Sequence, residues 1–65
     1  MNGTVRSFDE QAGLGDIVDG AGRIWPFHCV EIADGSRTIA VGAAVRFSTR
    51  PLLGRYEAVA IVPVG

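Results

Sequence analysis

His28 and Cys29 stand side by side, and a thiol beside an imidazole is the pairing that makes a cysteine nucleophile. Successive residues of a strand point to opposite faces, so these two are poorly placed to exchange a proton. Asp9, Glu10, Asp16, Asp19 and Asp34 are scattered over turn-forming segments, whereas acid–base catalysis needs carboxyl groups converging on one cleft. One cysteine and one histidine cannot complete a zinc site. No phosphate-cradling glycine loop or dinucleotide fingerprint occurs. The chain therefore reads as a non-enzyme, with no catalytic residue, metal or cofactor. What remains is binding chemistry, carried by a few aromatic rings, His28 and six arginines. A guanidinium grips phosphate with two parallel hydrogen bonds and stacks on flat rings.

The segments that must position these groups are short, β-prone and punctuated by glycine. Run one is Gly3 to Phe8, with Val5 inward and Thr4 and Arg6 outward by the two-residue period of a strand. Run two, Leu14 to Val18, contains Gly15, a residue that inside a strand marks a bulge or a sharp bend. Asp19-Gly20-Ala21-Gly22 reads as a hairpin turn, with Asp-Gly supplying positive φ. In run three, Arg23 to His28, Trp25 and Phe27 share the core face, and Ile24, Pro26 and His28 share the other. Cys29 to Ile39 is irregular, with a short helical turn at Val30-Glu31-Ile32. Run four, Ala44 to Thr49, turns Val45 and Phe47 inward; Arg50 to Arg55 reads as a loop. Run five, Tyr56 to Val62, places Glu57, Val59 and Ile61 on one face. Five strands in one 65-residue domain, residues 1–65, predict an all-β chain closed into a five-stranded antiparallel barrel of OB type. A chain of this size buries only about 60% of its unfolded surface, and closure encloses a core without free edges.

Taken in order, these segments resemble the bacterial cold-shock domain family. Gly3-Thr4-Val5-Arg6-Ser7-Phe8 is similar to the family's opening Gly-x-Val-Lys-Trp-Phe, and Gly13-Leu14-Gly15-Asp16-Ile17 to its Gly-Phe-Gly-Phe-Ile motif. Trp25-Pro26-Phe27-His28 stands where the family has Val-Phe-Val-His. Ile32, Gly42-x-x-Val45-x-Phe47 and Tyr56-Glu57-Ala58-Val59-Ala60-Ile61 match its later segments. The resemblance implies the cold-shock form of the OB barrel and binding of single-stranded RNA or DNA. It assigns nucleic-acid contact to Arg6, Phe8, Leu14, Asp16, Pro26 and His28, with Arg55 and other loop arginines adding charge. Several positions depart from the family's aromatic platform: Ser7 replaces its tryptophan, Leu14 and Asp16 two phenylalanines, Pro26 a third, and Cys29 the aromatic after the histidine. Each base stacked on such a ring is worth about 1–3 kcal/mol, so the expected binding is weak, driven by arginine and sensitive to salt.

Composition frames both this reading and its rival. Six arginines, no lysine and seven acids give a net charge of −1, without the positive excess usual in a nucleic-acid binder. The rival is an OB barrel repurposed as a protein-interaction module, with Leu14, Pro26, Cys29, Leu52 and Leu53 forming an apolar patch for a partner or a second copy. The first residues lack a basic segment followed by an apolar run, and the longest apolar stretch is too short to span a bilayer. With a single free thiol, the expectation is a soluble cytoplasmic protein with no membrane association.

Overall fold

The computed structural model describes residues 1–64. Five strands follow one another: β1 (Asn2–Asp9), β2 (Leu14–Asp19), β3 (Ile24–His28), β4 (Ala44–Leu52) and β5 (Arg55–Pro63). A 3-10 turn, Cys29–Glu31, follows β3. All strand pairs are antiparallel and form one sheet in the order β3-β2-β1-β4-β5. The all-β class and the five-stranded antiparallel sheet agree with expectation. Among the described residues, the hydrogen-bonded ladder stops at β3 on one side and β5 on the other. These edges nevertheless meet through side chains, with the Trp25 and Tyr56 rings edge to face at 6.4 Å.

The core gathers Val5, Ile17, Trp25, Phe27, Ile32, Val45, Phe47, Ala58 and Ile61. Burying one such large side chain is worth about 1.5–3 kcal/mol. A domain of this size has a net stability of only several kcal/mol, so each of these residues matters. Trp25 and Phe27 alternate inward as the period of two requires, and Ile32 reaches the same core through a parallel bridge to Ile61. The helical turn lies one residue earlier than expected, leaving Ile32 free to make that bridge.

Three local features depart from simple alternation. In β1 the pairing slips between Val5 and Ser7, which leaves Arg6 as the extra residue of a bulge. In β5 the pairs Ser48–Val59 and Arg46–Val62 leave Phe47 opposite both Ala60 and Ile61. Ala60 takes φ of 52° there, so Ala58 and Ile61 are both buried while Val59 is only half-buried. The expected shared face of Glu57, Val59 and Ile61 is corrected accordingly: the bulge resets the phase between Glu57 and Ile61. The expected loop Arg50–Arg55 is likewise mostly strand, since β4 runs to Leu52 and β5 begins at Arg55. Only Leu53 and Gly54 turn the chain, with φ of 44° and 85°, the pair of positive values of a tight two-residue hairpin.

The β2–β3 connection is organised by one carboxylate. Asp19 Oδ1 accepts from the backbone N–H of Ala21 and Arg23, each at 2.9 Å, and Oδ2 accepts from Trp25 Nε1 at 2.9 Å. Gly22, not Gly20, supplies the positive φ of this turn. The Trp25 hydrogen bond, followed by the backbone donor of Arg23, holds the Asp19 carboxyl below its usual range. A carboxylate with a depressed folded value adds stability above its ordinary titration range, and that stability is lost as pH falls through the depressed value. Asp19→Asn is therefore expected to lower the melting temperature at neutral pH and shift Trp25 fluorescence to the red. The parent protein should begin the same shift only on acidification below the usual carboxylate range. Parent-like emission and melting in the variant would remove Asp19 from this role.

The hairpin tip supports a second expectation. A leucine in the left-handed region is strained by about 1–3 kcal/mol, and asparagine tolerates that region far better. Leu53 is fully exposed, at 99%, so its side chain contributes no packing to offset the strain. Leu53→Asn should raise the midpoint of chemical denaturation, by an amount equivalent to about 1 kcal/mol. A lowered midpoint would show that the turn does not hold Leu53 as described.

Candidate functional site

Register places the outward residues of β1, β2 and β3 in cross-strand rows. Leu14 lies opposite His28, Asp16 opposite Pro26, and Ser7 opposite Asp16. Beneath them runs an inward row in which Phe8, Gly15 and Phe27 face one another across the three strands. The Phe8 and Phe27 rings are parallel to within 1°, with centroids 5.9 Å apart. Gly15 sits between them because nothing larger fits. A Cβ there would lie 2.6 Å from Phe27 Cζ and 2.6 Å from the Ser7 carbonyl oxygen.

A pocket of about 250 Å³ opens where these rows approach the start of β5. It is lined by Ser7, Leu14, Gly15, Asp16, Pro26, Phe27, His28, Arg55 and Glu57. Of the candidate contact residues, Leu14, Asp16, Pro26, His28 and Arg55 thus converge on one concavity. Arg6 stands at its margin, donating from Nη2 to Asp16 Oδ2 at 3.2 Å, where the Ser7 hydroxyl also donates at 3.2 Å. Phe8 is the exception. It is half-buried in the inward row against Phe27 and is not among the lining residues. Tyr56 likewise packs edge-on against Trp25.

The arginines divide by role. Arg6 pairs with Asp16. Arg50 reaches Glu57 and Glu31, and Arg23 lies over the Trp25 ring at 5.6 Å. Arg46 is exposed on β4 opposite Asn2 and Val62, and Arg37 belongs to the connection before β4. Arg55 makes no ion pair among the described residues and lines the pocket, so it is the cation there most available to a ligand. Asp16, the acid at the centre, is already matched by Arg6.

Glu57 is the residue that sequence reasoning missed. It is 4% exposed, yet it lines the pocket. Its Oε1 accepts from Arg50 Nε at 2.9 Å and Arg50 Nη2 at 2.7 Å. The hydrogen bond from Arg50 to Glu57, with the nearby negative charges, raises the guanidinium pKa further above its already high range. The signal was present in the hairpin: counting outward from Leu53-Gly54 pairs Arg50 with Glu57. The strand assignment for Arg50–Arg55 was needed to use it.

The apolar patch of the rival reading is only partly assembled. Leu14 is exposed, Cys29 is half-buried beside Gly13, and Leu53 is at the hairpin tip outside the pocket. No group of three or more His, Cys, Asp or Glu side chains suited to a metal ion occurs among the described residues, and no helix among them is long and apolar enough to cross a membrane. Gly15→Ala is expected to destabilise the fold by about 1–3 kcal/mol, because the added methyl must displace a packed ring or the Ser7 backbone. A melting temperature equal to the parent's would show that the Phe27 ring does not lie against Gly15. In comparison with known proteins, no family model matches the chain and no curated protein matches it.

Proposed function

We propose that this protein is an OB-type barrel of cold-shock character that binds single-stranded RNA or DNA across the outward rows of β1–β3 and the start of β5. The observation carrying this reading is the convergence of Leu14, Asp16, Pro26, His28 and Arg55 on one open pocket. The strand order needs only a β3–β5 seam to complete a barrel, and the Trp25–Tyr56 contact lies at that seam. His28 offers a flat ring for one base, Leu14 and Pro26 offer apolar contact, and Arg55 offers charge to a phosphate. The half-buried thiol of Cys29 suits a reducing compartment, so the cytoplasm is the proposed location.

Charge pairing sets the form of this binding. Arg6 and Arg50 are already engaged by acids and Arg55 is the arginine lining the pocket, so one or two phosphates are expected to be neutralised there. The logarithm of affinity for a single strand changes by about −0.7 per phosphate for each decade of salt. Anisotropy titration of a labelled oligonucleotide should show saturable binding at low salt, with a slope between about −0.7 and −1.4. Arg55→Ala should weaken binding and flatten that slope by about 0.7. Asp16→Asn, which removes a carboxylate and releases Arg6, should strengthen binding severalfold. No saturable binding at low salt would reject the function. In that event the exposed and strained Leu53 would favour the rival reading, a protein-interaction module.

A further inference from the structure

Glu57, which borders the pocket, carries an acceptor that the fold leaves unused. Both Arg50 donors that reach Glu57 go to the same oxygen, Oε1. Glu57 Oε2 receives no hydrogen bond among the described residues, and no fully buried side-chain oxygen there lacks a partner. Oε2 therefore retains a small accessible area. The rest of the side chain is enclosed, and the residue borders the pocket beside His28 and Arg55.

A charged carboxylate oxygen in that position accepts hydrogen bonds and repels carbonyl lone pairs. Its charge is balanced by Arg50, so it can stand in a nucleic-acid site without excluding the strand. We infer that Glu57 selects the base entering the pocket, favouring one with an exocyclic amino group and disfavouring thymine or uracil. This rests on the proposed nucleic-acid function and adds a base preference to it. Cytosine would donate from its amino group to Oε2, a pairing that glutamate makes at base edges. Thymine and uracil present one N–H flanked by two carbonyl oxygens, and those oxygens would face the carboxylate.

The clean comparison uses two pyrimidines of similar stacking area. Octamers of deoxycytidine, thymidine and N4,N4-dimethyldeoxycytidine would be titrated against the intact protein at one low salt concentration. The deoxycytidine octamer should bind at least about fivefold more tightly than the thymidine octamer. Dimethylation, which removes both donor hydrogens, should abolish that advantage. Glu57→Gln presents a donor as well as an acceptor and should bring the cytosine-to-thymine ratio within about twofold. Its melting temperature would be measured alongside, and the dimethylated oligonucleotide tests the same point without altering the protein. Equal binding, a preference for thymidine, or an advantage that survives dimethylation would overturn the selection by Glu57 while leaving nucleic-acid binding intact. No binding to any octamer would overturn both.

Discussion

The fold depends on a phenylalanine ring packed closely against a backbone. Phe27 occupies the space where Gly15 would carry a side chain, and Phe8 stacks on the same ring. In a sheet, a slip of one residue would turn every side chain to the opposite face. The fit of Phe27 over Gly15 excludes that slip between β2 and β3. It fixes Leu14 opposite His28 and Asp16 opposite Pro26, and so it fixes the composition of the pocket. The binding surface and the core are thus two sides of one packing decision.

The outward surface is arranged by charge matching rather than by excess charge. Asp16 is paired with Arg6, and Glu57 and Glu31 share Arg50. The exposed pair contributes little stability, in the range of about 0–1 kcal/mol. Its effect is on the field a ligand meets: the acids are shielded, and Arg55 remains open. A net charge of −1 therefore says little about this face, because the sum over the chain hides local pairing.

The strands and the core were largely legible in the sequence, because period-two alternation needs no knowledge of partners. Trp25, Phe27, Val45 and Phe47 could be assigned inward on that basis, and all are buried. Alternation failed where the backbone left the regular strand. Arg6 and Ala60 sit at bulges, and a bulge shifts the phase by one residue without a strong compositional mark. The tip at Leu53-Gly54 was hidden for a related reason, since leucine is an unusual residue for a positive φ. That error concealed the Arg50–Glu57 pairing and with it the free acceptor of Glu57. The convergence of Leu14, Asp16, Pro26 and His28 was accessible from parity and the turn between β2 and β3. The half-buried place of Phe8 suits an aromatic at the end of its strand, but strict alternation from Val5 would turn it outward; the bulge at Arg6 brings it inward.

The strand order also has a kinetic meaning. β1, β2 and β3 are joined by short turns, as are β4 and β5, so each group can assemble from neighbouring segments. The two groups meet when Asn2, Gly3 and Thr4 pair with Arg46, Val45 and Ala44. That pairing closes a loop of more than forty residues, and contacts so distant along the chain form slowly. Yet the entropy of closing a loop grows only with the logarithm of its length. Extra residues in the connection between Ile32 and Ala44 would hardly burden assembly, whereas a change that opens the β2–β3 or β4–β5 turn would disable one of the two units before they could meet.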